Sequence, residues 1–243
     1  MPQHLAAPVR VSLASRASTL TEYMDDPNCD PRALRRSYAG FRVVNPVVSG
    51  WRHTYRRLIR PLLSASEPRT LLDIGSGGGD VPRSLARWAT RDGLLLDVTA
   101  IDPNPRAYEY ATSQPAMPGV RFRLAYSAEL VAEGAQFHFV TSNHILHHLS
   151  EQELRGVIAD TETLCTVFAA HSDIARSRFA YTGFSLATLP FFAGSYIRHD
   201  GLASIRRSYT VPELRAALPA RWRVIPQSPS RLLATWSPDV ADR

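Results

Sequence analysis

The stretch Leu71-Leu72-Asp73-Ile74-Gly75-Ser76-Gly77-Gly78-Gly79-Asp80 carries four glycines directly behind an apolar run. Glycine tolerates the positive φ angles of a tight turn and lets a ligand lie against backbone amides at the start of a helix, so this loop is a candidate cofactor cradle. Two phosphate cradles do not fit it. Counting from Gly75, the dinucleotide fingerprint Gly-x-Gly-x-x-Gly requires a glycine where Asp80 stands, and counting from Gly77 also fails. No Gly-Lys-Ser or Gly-Lys-Thr follows, which excludes a P-loop. A second constellation is Asn143-His144-Ile145-Leu146-His147-His148-Leu149. Histidine suits proton transfer near neutral pH, because its unperturbed pKa is about 6.5. His144 and His148 are four residues apart and, with His171 and Asp173, can be read as metal ligands. No His-Glu-x-x-His pattern is present, and the expectation is proton chemistry without a metal.

Both constellations need a scaffold, and the hydrophobic periodicity supplies one. Strand-like segments at Thr70–Ile74, Leu96–Ile101, Val120–Ala125, Phe137–Thr141 and Val167–His171 alternate with helical ones at Val81–Arg91, Arg106–Ser113 and after Ser150. This is the pattern of an α/β fold, a parallel sheet covered on both faces. Ser150 with Glu153, and Thr210 with Glu213, have capping-box spacing and open helices. Trp222–Ile225 and Arg231–Trp236, separated by Pro226 and Pro229, predict a terminal antiparallel hairpin. Upstream, Asp30 reads as an N-cap with Pro31 in the first turn. Leu34, Tyr38 and Phe41 follow at helical spacing, and a second helix after Pro46 aligns Trp51, Tyr55, Leu58 and Leu62. The expected organisation is a disordered tail over 1–19, a helical cap over 20–66 and a cofactor-binding domain over 67–243. The cap is expected to pack over the acceptor site through Trp51, Tyr55 and Leu58.

The pattern Asp73-x-Gly75-x-Gly77-x-Gly79, with Asp102 at the end of the second strand, resembles the class I S-adenosylmethionine-dependent methyltransferases of small-molecule type. The resemblance spans Thr70 to about Trp236 and implies a doubly wound, seven-stranded, mostly parallel Rossmann-like sheet whose last strand is antiparallel. It implies S-adenosyl-L-methionine as cofactor, with Asp73, Gly75, Ser76, Gly77 and Gly79 around its amino-acid end. Asp102, followed by Pro103, would hold the ribose hydroxyls, Ser127 and Ala128 the adenine ring, and Asn143 the methionine end. Leu146-His147-His148-Leu149 is similar to the Leu-His-Asp-Trp segment of phenolic O-methyltransferases, which makes His147 the expected base and leaves His148 and His144 as the other catalytic candidates. The implied activity is O-methylation of a phenolic or polyketide-like natural product, a transferase reaction of secondary metabolism. C-methylation of an aromatic or quinol ring, and a non-catalytic cofactor-binding subunit, are the alternatives.

Composition agrees with an ordinary globular enzyme: 243 residues, 44% hydrophobic and 21% charged. Two cysteines, Cys29 and Cys165, are too few for a disulfide framework, and the expected location is cytoplasmic. The net charge of +6 comes entirely from arginine, with a cluster from Arg32 to Arg60 on the predicted cap helices. The charges make no evident stripe with stacking aromatics, and Ser142-Asn143-His144-Ile145 stands where base amino-methyltransferases carry Asn-Pro-Pro-Tyr, so a nucleic-acid partner is not expected. Phe179 to Ile197 is uncharged but interrupted by glycine, proline and hydroxyl residues. It reads as a buried helix and pocket-lining loop instead of a membrane span. Phe179, Tyr181, Phe184, Phe191, Phe192 and Tyr196 there suggest an aromatic wall for a hydrophobic acceptor. Oligomeric state is left open.

Overall fold

A computed structural model describes residues 12–189 and 193–238. Seven strands form one sheet in the order β3-β2-β1-β4-β5-β7-β6. They are β1 (Arg69–Ile74), β2 (Leu96–Asp102), β3 (Val120–Leu124), β4 (Phe137–Asn143), β5 (Cys165–Ile174), β6 (Arg223–Gln227) and β7 (Arg231–Trp236). β7 is antiparallel to β5 and β6, and the other pairs are parallel. The fold is the Rossmann-like α/β sheet that the periodicity and the glycine loop anticipated. β5 runs further than its apolar core, to Ile174, because its end pairs with Arg231 of β7.

The helices are α1 (Pro31–Val48), α2 (Trp51–Thr54), α3 (Asp80–Arg91), α4 (Pro105–Ser113), α5 (Ser127–Ala132), α6 (Glu151–Leu164), α7 (Arg178–Ala187), α8 (Ile197–Arg207) and α9 (Val211–Ala217). Strand residues divide between two cores with a period of two. Leu71, Val98, Phe139, Ala170 and Leu233 enter one core, while Leu72, Ile101, Val140, Ala169 and Leu232 enter the other. The order reverses between β1 and β4, which places the loops after β1, β2, β4 and β5 at one carboxyl edge of the sheet, the usual ligand position in open α/β folds.

The N-terminal elements depart from the expected cap. Asp30 does cap α1, accepting from the Arg32 and Ala33 amides at 3.0 and 3.3 Å. The helix then passes through Pro46, and the chain turns instead at Gly50, whose φ is +66°. A Cβ at Gly50 would stand 1.9 Å from the Arg231 guanidinium, the far end of a flexible side chain that can swing aside, so it is the positive φ that calls for glycine. Beyond it, α2 continues as a π-helix over Tyr55–Ile59 and a 3-10 turn over Arg60–Leu62. Trp51, Tyr55 and Ile59 turn inward onto the sheet. They are buried against Leu71, Leu85, Phe139, Ala170 and Leu233, with Leu58 at the margin, because this stripe covers one face of the sheet. Ile59 is fully buried. Ile59→Ala should therefore lower stability by about 2–5 kcal/mol within one cooperative denaturant transition, and a separately melting N-terminal unit would contradict this packing.

Two other segments differ from expectation. α7 forms but buries none of its residues, with Phe179 68% and Leu186 63% exposed. It leans on α8, where a Cβ at Gly201 would lie 2.3 Å from the Phe184 ring. Tyr196 joins α1, its hydroxyl accepting from the Asp30 amide at 2.8 Å, while Phe191 and Phe192 lie outside the described residues. No described helix is long and apolar enough to cross a membrane. The tail expected over 1–19 is described from residue 12, and there it is in contact: Ala17 N–H donates to Arg206 O at 3.0 Å, and the Arg16 guanidinium lies 3.6 Å from the Tyr209 ring centroid.

Candidate active site

The glycine loop links β1 to α3. Gly75, Gly77 and Gly79 all have positive φ, +67°, +53° and +78°. Cβ atoms at Gly75 and Gly79 would stand 2.6 Å from Ile145 and from the Phe122 ring, whereas one at Gly77 would meet nothing within 4 Å. The loop is thus packed from behind and open at Gly77, where a ligand can approach the backbone. Asp102, at the end of β2, accepts the Gly77 amide on Oδ2 and the Asn104 amide on Oδ1, both at 2.8 Å. Each oxygen keeps a further lone pair, which suits a pair of vicinal hydroxyls. Pro103 is exposed beside it, and Ser76 donates its amide to Ile101 O at 3.0 Å.

Several residues expected at the cofactor are engaged by other side chains. Asp73 is buried and accepts from the Thr141 hydroxyl at 2.7 Å, holding β1 to β4 beneath the loop. Burial pushes its carboxyl up to about 7. Ser127 is buried and donates to Asp160 at 2.6 Å, which turns its hydroxyl toward α6. Ala128 is exposed, as is the neighbouring Tyr126. Asn143 Oδ1 accepts from the Trp51 indole at 2.9 Å, so the start of α2 reaches the end of β4. α1 lies over the loop: Tyr38 and Tyr110 bracket Gly78, and burial together with the charge of Asp102 raises the Tyr38 phenol pKa.

The histidines separate into distinct roles. His171 is in the core, its ring nitrogens 2.6 Å from Ser142 Oγ and 3.2 Å from Thr161 Oγ1, and burial lowers its pKa to about 4. It is not available as a ligand or base. His144 sits at φ +57°, the one non-glycine residue in the left-handed region among those described, and burial lowers its pKa to about 4. His147 is 1% exposed, with Nδ1 2.7 Å from Asp173 Oδ1. Asp173 also accepts the His147 amide at 2.9 Å, which fixes ring and backbone together. Burial alone would lower the His147 pKa, but the charges of Asp173 and Glu22 outweigh it and raise the value to about 9. The opposing charge holds the Asp173 carboxyl below its ordinary range against burial. His147 Nε2 has no hydrogen-bond partner.

Covering this pair is an acidic turn that sequence reasoning missed. Glu22 Oε1 lies 3.7 Å from Nε2 of both His147 and His148, and Asp25 Oδ2 lies 3.6 Å from His148 Nδ1. Arg207 of α8 approaches the same two carboxylates at 3.8 and 3.6 Å. No spacing rule connects these residues; the three acids in Glu22-Tyr23-Met24-Asp25-Asp26 were the sole local signal. Glu22, His147 and His148 present donor atoms within 4.8 Å of one another and are the one candidate metal cluster among the described residues. The Arg207 guanidinium beside Glu22 supplies the positive charge such a cluster would otherwise take from a cation, so the residues fit a metal poorly. The other ligand set, His144, His148, His171 and Asp173, does not converge.

Comparison with known proteins agrees with the geometry. Residues 71–166 match the family model described as a methyltransferase domain. No curated protein matches the chain. Among solved structures, the plantazolicin methyltransferase BpumL in complex with a pentazolic desmethylPZN analog and SAH is 12% identical, with a TM-score of 0.53 over 84% of this chain and 95% of that one. The magnesium protoporphyrin IX methyltransferase ChlM from Synechocystis PCC 6803 is 15% identical, with a TM-score of 0.51 over 88% and 91%. A SAM-dependent methyltransferase from Aquifex aeolicus is 15% identical, with a TM-score of 0.54 over 85% and 97%. At these identities the likeness is one of fold.

Proposed function

We propose that the chain, which matches a methyltransferase-domain model over residues 71–166, uses S-adenosylmethionine to methylate a hydroxyl oxygen of a small acceptor, phenolic or polyketide-like, with His147 and Asp173 handling the acceptor's proton. The observation that carries this reading is the buried Asp173–His147 pair, with Nδ1 held at 2.7 Å and Nε2, 3.7 Å from Glu22, making no hydrogen bond. It follows β4, on the loop whose Ile145 packs against Gly75 of the glycine cradle.

Bound at that cradle, S-adenosylmethionine supplies a methyl group already activated on a sulfonium, so the protein's work is positioning and proton control. The open backbone at Gly77 would hold the amino-acid end, and Asp102 would take the ribose hydroxyls with its remaining lone pairs. Asp173 keeps the His147 ring in one orientation and stabilises the imidazolium that results when Nε2 takes a proton from the acceptor hydroxyl. With a pKa of about 9 the ring takes that proton only in its neutral form, populated as pH rises toward 9, and the transfer, nearly balanced for a phenol, leaves the imidazolium beside the anionic oxygen. BpumL, of like fold, is in complex with a pentazolic desmethylPZN analog and SAH, a likeness that supports a small acceptor here. His148 and His144 are neighbours of the pair; neither has a comparable carboxylate partner on Nδ1.

Calorimetry with S-adenosylmethionine and its demethylated product tests the cofactor site. Both should bind, and Asp102→Ala should weaken binding by about 1.5–3 kcal/mol, the range for charge-assisted hydrogen bonds. Unchanged affinity in a folded Asp102→Ala protein would reject the ribose assignment. Mass spectrometry of label transfer to phenol, quinol and polyketide acceptors tests the acceptor atom, and product methylated on ring carbon would replace O-methylation with C-methylation.

A further inference from the structure

The acidic turn over the histidines carries information about the acceptor, an inference that rests on the methyl-transfer reading above. Glu22 is buried, and Ser204 Oγ donates to its Oε1 at 2.8 Å. Three potentially cationic groups converge on that same oxygen without reaching hydrogen-bond distance: His147 Nε2 and His148 Nε2 at 3.7 Å, and Arg207 Nη1 at 3.8 Å. His147 is 1% and Arg207 6% exposed, and His147 Nε2 and Arg207 Nε lack hydrogen-bond partners. Buried donors left in this state are costly, and more so when charged. Asp25 faces His148 Nδ1 and Arg207 Nη1 at 3.6 Å and Arg207 Nη2 donates to the His148 carbonyl at 3.3 Å, but none of these serves His147 Nε2 or Arg207 Nε, so the cradle keeps more donor capacity than its carboxylates use.

Glu22 is held short of these donors by its backbone. The next two residues donate their amides to Asp200 of α8, Tyr23 at 2.9 Å and Met24 at 3.0 Å, which anchors the turn at the rim. A free ligand has no such tether. We propose that His147, His148, Arg207 and Ser204 form the subsite for an anionic oxygen of the acceptor, a carboxylate, enolate or phenolate, and that Glu22 occupies it as an internal surrogate until the acceptor displaces it. The anchor is made by the backbone of Tyr23 and Met24, so rotation of the Glu22 side chain clears the cradle while the turn stays on α8. An oxyanion seated there can approach His147 Nε2 and Arg207 closely and meets the electrostatic demand that a buried carboxylate now meets at longer range. An uncharged acceptor has nothing to offer in exchange for Glu22, so the cradle selects acidic acceptors.

The test is a binding comparison of the full chain with its Glu22→Gln variant, using benzoate and 4-nitrophenolate as anionic probes and benzyl alcohol as the uncharged control. Removing the surrogate's charge should tighten both anions at least 10-fold and leave benzyl alcohol unchanged, whereas Arg207→Gln should weaken both anions at least 10-fold. Glu22→Asp, which withdraws the carboxylate by one methylene, should give an intermediate gain and serves if the glutamine variant does not fold. A purely structural Glu22 would produce no gain, or an equal change for all three probes, and either result overturns the proposal. Affinity for S-adenosylhomocysteine is measured on the same samples. Its absence throughout would strike the methyl-transfer reading, while the anion affinities independently decide the cradle.

Discussion

Replacing His147 with asparagine is expected to lower turnover by about 10²–10⁴-fold, the range for removing a positioned acid or base, with little change in cofactor affinity. The separation follows from geometry. His147 touches Asp173 and the acidic turn, while the glycine loop and Asp102 form their bonds elsewhere at the sheet edge. The wild-type profile should depend on a group titrating near pH 9, the value to which Asp173 and Glu22 raise His147 against burial. In the variant that limb should disappear, and raising the pH should restore part of the rate, because an acceptor already ionised in solution needs no proton acceptor. Full activity of the variant at neutral pH would remove His147 from the chemistry. Loss of cofactor binding in a folded variant would make it a structural residue.

Asp173→Asn should have the largest effect on stability. Asp173 is 1% exposed and accepts from the His147 ring and amide and from the Ile174 amide. Removing one partner of a buried pair leaves the other charge uncompensated, at a cost of about 3–5 kcal/mol. The pH dependence gives a second readout. Because the folded-state pKa of His147 is raised from 6.5 to about 9, its stabilising contribution is complete below pH 6.5 and is lost as pH rises through 9. The wild-type melting temperature should fall across that window. The variant lacks the main cause of the raised pKa and should melt at a lower temperature with a flatter dependence. A steep dependence retained in Asp173→Asn would assign the effect to Glu22 instead.

Much of this molecule was legible one segment at a time. Two-residue alternation marked Leu71 and Leu72, or Phe139 and Val140, as facing opposite cores, because a strand's faces are set by its own backbone. The caps at Asp30, Ser150 and Thr210 are equally local, since a side chain bonds an amide two or three residues away. The glycine loop declared itself because positive φ is a property of single residues.

Contacts between distant segments could not be read this way. The Trp51–Ile59 stripe announces that it must be buried, and the free area on the sheet decides where. Asp102 ends β2 and Ser127 follows β3, and both were expected at the cofactor; that the serine hydroxyl also meets Asp160 of α6 is a contact only the packed fold supplies. His171 and His147 are the same residue type at the same sheet edge, but one is enclosed by Ser142 and Thr161 and the other is charged by Asp173. Glu22 meets Ser204 across 182 residues of chain, and no periodicity reports which ionisable groups such a crossing brings together. Periodicity and φ are short-range properties of the chain, whereas a buried side chain's charge state depends on neighbours that only the packed fold supplies.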